Sequence, residues 1–274
     1  MGVRIAATLM LASIASTQAI AQAPAIEEAK AEQRWSELQR AIFPDRTLND
    51  GKGIIELEAP ARALDAALVP LSVTTSGTKP VRKIYLVIDN NPGPLAGRFT
   101  FGEAADPSML KVRMRVNTYT NIHAVAEDAE GQLYSVQEFV KASGGCSAPA
   151  GSNDPKALEE MGQMRFKLLS NVTLGQPVQA QLMIRHPNFN GMQMDQVTRL
   201  YTPAHFIKTI DITYAGQSVM QVESDIALST DPVITFGFVP RQNDKLKVVV
   251  SDSKGNRFER SFDVAAAEQV SEAM

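Results

Sequence analysis

The residue with the clearest chemical potential is Cys146, the only cysteine among 274 residues. It lies in Ala142-Ser143-Gly144-Gly145-Cys146-Ser147-Ala148-Pro149-Ala150-Gly151. A thiol attacks through its thiolate, whose abundance is set by the local pKa. A lone thiol cannot close a disulfide within its own chain, so it is a free reactive group or an attachment point. Gly144 and Gly145 before it and Ser147 after it are small and turn-prone. That composition predicts an exposed, mobile arm carrying an unshielded sulfur. With no charged residue beside Cys146 in sequence, the thiol is expected to titrate near its ordinary value of about 8.5. On this reading alkylating reagents attack the native protein nearly as fast as the unfolded chain. Gly145→Val should then change stability by no more than about 0.5 kcal/mol, as surface substitutions do.

The other chemistry-bearing residues form no pattern. His123, His186 and His205 are scattered and lack ligand spacing. A Cys–His pair exists only if folding brings one of them to Cys146. There is no phosphate-binding glycine loop, dinucleotide fingerprint, Gly-x-Ser-x-Gly elbow, Cys-x-x-Cys or His-Glu-x-x-His. Met192 and Met194 are soft copper ligands by type, but without a Cys-His partner pattern nearby they read as packing residues. Neither a metal nor a cofactor site is predicted. The chain has 27 basic against 30 acidic residues and a net charge of −3. With no strongly basic stretch, nucleic acid and anionic membrane are poor partners.

Several elements must position the cysteine. Met1 to Arg4 is a short basic segment, and Ile5 to Ser16 is apolar. Ala19-Ile20-Ala21 is a small-x-small cleavage pattern, so residues 1–21 read as an export signal with Gln22 as the mature N-terminus. Thr17 and Gln18 interrupt the apolar run before it reaches the roughly 18 residues of a membrane anchor. No later run is long enough to span a bilayer, so the mature protein is expected to be soluble and exported. Ile26 to Phe43 reads as a helix, with Trp35, Leu38 and Ile42 at helical spacing and Pro44 as its stop.

From Gly53 the hydrophobic period changes to two, as in Ile55-Leu57-Ala59 and Leu110-Val112-Met114-Val116. In the second run Lys111, Arg113 and Arg115 occupy the opposite, solvent face. Val81 to Ile88, Ile122 to Ala126 and Leu133 to Val140 are further strands. Short strands with frequent turns predict a β-sandwich over residues 22–146. Residues 147–172 read as a linker with a short helix capped by Asp154-Pro155. A second sandwich is expected over 173–264, with hairpin turns at Ala215-Gly216 and Ser253-Lys254-Gly255. Residues 265–274 read as a frayed tail.

Two sets of motifs carry a resemblance. "VIDNNPGPLAGRFTF", "RMRVNTYTNIHAVAEDAEGQLY" and "FVKASGGC" in the first block resemble SoxY, the covalent carrier subunit of bacterial thiosulfate oxidation. "QAQLMIRHPNFNGMQMDQ", "YTPAHFIKTIDITYAGQSV" and "VVVSDSKGNRFERSFDV" in the second are similar to SoxZ. The order and the internal "GGCSAPAG" are closest to fused SoxYZ-like carriers associated with quinoprotein dehydrogenases. The resemblance implies two immunoglobulin-like sandwiches in tandem that pair within one chain, with Cys146 as the attachment residue and Gly144, Gly145 and Ser147 in its arm. It also implies periplasmic redox enzymes as partners, either Sox-type cytochromes or a quinoprotein dehydrogenase system. In the SoxY family the arm is a GGCGG sequence at the extreme C-terminus. Here Ser147-Ala148-Pro149 and a whole domain follow, so the arm must enter a partner doubled back on itself.

Three functions compete. The first is a periplasmic carrier that holds a sulfur-containing group covalently on Cys146 without turnover of its own. The second is a non-covalent accessory or scaffold protein of a periplasmic quinoprotein alcohol dehydrogenase system, in which the thiol is incidental. The third, a thiol hydrolase or transferase, requires a general base that the sequence does not supply.

Overall fold

The computed structural model describes residues 16–148, 158–195, 198–265 and 268–269. Residues 1–15 of the segment read as an export signal, residues 149–157 of the expected linker, where the Asp154-Pro155 helix start was expected, and most of the expected tail lie outside the described residues. The chain divides into two units, residues 1–44 and 45–274. The first is built on the helix α1 (Ser16–Ile42), which begins ten residues before the expected Ile26 start and ends just ahead of Pro44. Among the described residues no helix is long and apolar enough to cross a membrane.

The second unit is made of strands, numbered here along the chain. The larger sheet has nine. Its order is β1 (Leu48–Asp50), β8 (Leu133–Val140), β7 (Thr120–Asp128), β4 (Val81–Ile88), β5 (Leu95–Phe101), β12 (Gln217–Ser224), β11 (Ile207–Tyr214), β14 (Lys245–Asp252) and β15 (Arg257–Asp263). The smaller sheet has seven. Its order is β16 (Glu268–Gln269), β9 (Met164–Leu168), β10 (Val178–Ile184), β13 (Val233–Phe238), β6 (Ala105–Met114), β3 (Val69–Thr75) and β2 (Ile55–Glu58).

Period-two burial explains these strands. In β10 the residues Val178, Ala180, Leu182 and Ile184 are buried while those between are not, and β14 alternates in the same way. The hairpin between β11 and β12 turns on Ala215 and Gly216, both with positive φ, 50° and 77°. This is the pair of left-handed residues that a two-residue turn requires.

The fold is mainly β, with immunoglobulin-like sandwiches in tandem: β1–β8 form the first and β9–β16 the second. They do not merely touch. β5 pairs antiparallel with β12, setting Phe101 opposite Met220 and Arg98 opposite Glu223. β6 pairs antiparallel with β13, setting Leu110 opposite Phe236. Both sheets therefore run unbroken across the two halves, and one apolar core continues through both, from Leu71, Phe99 and Met114 to Ile210, Phe236 and Leu246. Two parts of the chain differ from expectation. β9 lies inside the segment read as linker, where its Met-x-Phe-x-Leu pattern buries three side chains. In the tail, Glu268–Gln269 runs parallel to β9 and caps an edge that would otherwise be open.

Two glycines sit at the seams because no side chain fits there. A Cβ on Gly102 would lie 2.3 Å from the Ser218 carbonyl oxygen, and one on Gly237 would lie 2.7 Å from that of Asp106. The Gly102 N–H donates to the Val219 carbonyl at 2.9 Å, so the backbones are held at that distance. The exposed Arg98–Glu223 pair at 2.9 Å adds at most about 1 kcal/mol across the same seam. Gly102→Ala is expected to lower the stability of the whole second unit by about 1–3 kcal/mol, the usual penalty of overpacking. Chemical denaturation should still show one transition. Two separate transitions in the parent protein would mean that the halves are not one cooperative body.

Candidate functional site

The cysteine lies where the two halves meet. β8 ends at Val140, and the chain then runs beside the segment 61–66: the Lys141 N–H donates to the Ala61 carbonyl, and the Ala63 N–H donates to the Lys141 carbonyl, both at 3.0 Å. Gly144 takes a φ of 76° and starts a tight turn. Its carbonyl accepts from the N–H groups of Ser147 at 3.2 Å and Ala148 at 2.8 Å. The Gly144 N–H donates to the Asn117 carbonyl at 2.7 Å and the Gly145 N–H to that of Val116 at 3.2 Å. Side chains hold the remaining carbonyls. Arg115 Nη1 donates to Gly145 O at 3.3 Å, and Asn190 Nδ2 donates to Cys146 O at 2.7 Å.

The exposed, mobile arm expected from the sequence is therefore corrected. Cys146 is 1% exposed, and the peptide groups of Gly144, Gly145 and Cys146 are tied down by hydrogen bonds. The expectation for Gly145 changes as well. Its missing side chain serves close approach, since a Cβ there would lie 2.1 Å from the Ala66 carbonyl oxygen and 2.5 Å from that of Val116. Gly145→Val cannot be neutral, because backbone would have to move. Of the four predicted residues, Gly145 and Cys146 are buried and Ser147 is exposed, while Gly144 forms the corner of the turn.

Sequence reasoning missed the residues that build this seat. Period two places Arg115 outside with Lys111 and Arg113, yet Arg115 is 1% exposed. β6 stops at Met114, and the next N–H, that of Arg115, donates to the Ala227 carbonyl of the second half at 2.7 Å. Its Nη2 donates to Thr230 Oγ1 at 2.6 Å, and that hydroxyl donates to Pro187 O at 2.9 Å. Asn91, from the Asn-Asn-Pro-Gly turn, brackets the segment from the other side. Its Nδ2 donates to Arg115 O at 2.8 Å, and its Oδ1 accepts the Asn117 N–H at 2.9 Å. Asn190 is itself oriented by the Met192 N–H, which donates to its Oδ1 at 2.9 Å and so leaves Nδ2 for Cys146.

The electrostatics follow from burial. Loss of water pushes the Cys146 thiol above its ordinary value, and the Arg115 charge pulls it part of the way back. No histidine contributes to the thiol's ionisation, which leaves a Cys–His catalytic pair without support.

The histidines do come together elsewhere, contrary to their scattered spacing. His186, His205 and Asp252 are all buried, and their donor atoms lie within 4.8 Å of one another. His205 Nε2 is 2.7 Å from Asp252 Oδ2, and His186 Nε2 is 3.6 Å from the same oxygen. The Asn188 N–H donates to His186 Nδ1 at 3.1 Å, so the proton of the neutral ring is on Nε2. That tautomer has no lone pair on Nε2 to offer a metal. Burial, reinforced by His205, lowers His186 to about 4. Burial alone would raise Asp252, but hydrogen bonds from Asn256 and His205 outweigh it and hold the carboxylate at about 2. The cluster anchors the same loop that reaches Cys146: Asn188 Nδ2 donates to Ser229 O at 2.6 Å, and Asn190 lies two residues further on.

Two measurements check this arrangement. Alkylation of Cys146 in the native protein should be much slower than in denaturant, and Asn190→Ala should accelerate it about fivefold, as loss of about 1 kcal/mol of seating energy implies. Native reaction as fast as the unfolded chain would mean that the turn is not seated. For His186 the folded pKa lies below the unfolded value of about 6.5. Its stabilising effect is complete above that pH and is lost as pH falls toward about 4, an effect on the order of 3 kcal/mol. His186→Gln should flatten the acid limb of a plot of Tm against pH; an unchanged limb would assign the acid sensitivity elsewhere.

No curated protein matches the chain. Among solved structures, the sulfur carrier protein SoxY from Chlorobium limicola f thiosulfatophilum is 23% identical, covering 42% of this chain and 97% of its own, with a TM-score of 0.36. A beta-glycosidase from Bacteroides vulgatus is 10% identical, covering 77% of this chain and 24% of its own, with a TM-score of 0.24. Residues 39–146 match the family model described as sulfur oxidation protein SoxY, and residues 166–263 match that described as sulphur oxidation protein SoxZ. The first match ends on Cys146, and the two fall on the two strand-joined halves in that order, so the chain belongs to the SoxY and SoxZ families of sulfur-oxidation proteins, fused in one polypeptide.

Proposed function

We propose that this protein is an exported, periplasmic SoxYZ-type carrier that holds a sulfur-containing group covalently on Cys146 and presents it to periplasmic redox enzymes, with no turnover of its own. The observation that carries this reading is the end of the SoxY match on the chain's one cysteine, in a turn built from both halves. Export rests on the basic and apolar segments and the Ala19-Ile20-Ala21 pattern. The partners are Sox-type cytochromes or a quinoprotein dehydrogenase system.

Burial of the sulfur adds a step to the carrier reading. Loading requires the turn to leave its seat. It then gives up the bonds from Asn190 and Arg115 and the two from the Gly144 and Gly145 N–H groups. At about 0.5–1.5 kcal/mol each, the open state lies about 2–6 kcal/mol above the seated one. An open fraction of that size is rare but accessible on the time scale of loop motion. The same burial favours the second reading, a scaffold for a quinoprotein dehydrogenase system in which the thiol packs and does no chemistry.

Cys146→Ser separates the two. A carrier loses all physiological function with its fold intact, whereas a scaffold keeps it. Intact-mass measurement of protein taken directly from the periplasm should show an adduct on Cys146, absent from the Ser variant and released by reductant. A bare thiol under conditions where the pathway runs would count against covalent carriage.

A further inference from the structure

Arg115 is a cation in an unusual position. It is 1% exposed, and its two resolved hydrogen bonds go to neutral acceptors, Gly145 O and Thr230 Oγ1. Its Nε is buried without a partner. Among the described residues no carboxylate forms an ion pair with it. Asp65, which is exposed, acts on it only at longer range, and Cys146 ranks ahead of Asp65 in its electrostatic surroundings. A buried guanidinium without a counter-ion is strongly disfavoured unless something nearby carries the compensating charge. The one group at the seat that can acquire a negative charge is the sulfur of Cys146, next in sequence to the carbonyl that Arg115 Nη1 holds.

We propose that Arg115 is a positioning residue for the carrier chemistry: its buried guanidinium, fixed on Gly145 O beside the sulfur, offsets part of the cost of ionising Cys146 while the turn is seated. The inference rests on the carrier reading for its purpose but not for its test. The step is an ionisation alone. The S–H bond breaks, the electron pair stays on sulfur, and the proton passes to solvent. No oxidant or reductant is involved. The same guanidinium also fixes Gly145 O, so ionisation is eased where the turn is held. Thr230 and Pro187 orient the other end, which makes the SoxZ half part of the device. Around the thiol the charged groups among the described residues are Arg115 itself and, acting on Arg115, Asp65.

The test is a titration of the full chain. Because Cys146 is the only cysteine, its thiolate absorbance can be followed against pH with Cys146→Ser as the blank. If Arg115 eases the ionisation, Arg115→Met raises the thiol pKa, with at least about tenfold less thiolate at a given pH. If Arg115 only pins the turn, the same substitution frees the sulfur into water and the pKa falls toward about 8.5. The two roles move the titration in opposite directions, so a fall or no change overturns the proposal. Should the Met variant fail to fold, Arg115→Lys carries the test. It keeps a cation but loses the fork, and its thiol should stay within about threefold of the parent in thiolate fraction. A Lys variant that titrates as a free cysteine overturns the proposal. Neither result depends on whether an adduct is found in the periplasm, so this inference and the carrier reading can fail separately.

Discussion

Two strand pairings, β5 with β12 and β6 with β13, are the constraint on which everything else in the second unit depends. Each is a main-chain ladder, so the halves are set not only in orientation but in register. Register matters because it brings the 227–230 segment beside Arg113–Val116: the Arg115 N–H finds the Ala227 carbonyl and the Ser229 N–H finds that of Arg113. A slip of one residue along either seam would reverse which side chains face inward and would separate Arg115 from Thr230. The seat of Cys146 is in this sense a product of the seams. It exists in neither half alone, since Asn190 and Thr230 come from one and Gly144–Cys146 from the other.

Much of the fold was legible in the sequence because it is written in a local code. The strands read at Val81 to Ile88 and Leu133 to Val140 are β4 and β8 with the same bounds, and Ala215-Gly216 announces its hairpin. Other strands carry residues or lengths that obscure the pattern. β3 carries Pro70, β5 is interrupted by Gly97 and Arg98, and β9 is only five residues long. Motif resemblance supplied the order of the halves. That they share two sheets was not legible, since pairing of distant edges leaves no periodic trace, and the seam glycines read alone are ordinary turn residues.

The site was legible in one residue and misread in its surroundings. Cys146 is identified by its uniqueness and its flanks. Its burial is not, because a glycine-rich flank serves a mobile arm and a tightly packed turn equally well. Gly145 shows which applies here: the Ala66 and Val116 carbonyls occupy the space a side chain would need. Arg115 was misread for a definite reason. Period two holds only while a strand continues, and β6 ends one residue before it. The histidines follow the same lesson. His186 and His205 lie on different segments of the second half; the bridge of Phe189 to His205 and the pairing of Ile207 with Asp252 bring them together.

The seams also set the order in which the chain can be built. They join residues far apart in sequence, such as Phe101 with Met220 and Leu110 with Phe236. Contacts of that separation carry the largest loop-closure entropy and form late. Until they close, β5 and β6 of the first half end in bare edges, with unpaired amide and carbonyl groups and adjoining apolar surface. Such edges are where chains stick to one another. A single polypeptide answers this hazard by keeping the matching edges, β12 and β13, permanently at hand. Fusion therefore changes the assembly of the two halves from a meeting of two subunits, dependent on their abundance, into the last step of one chain's folding.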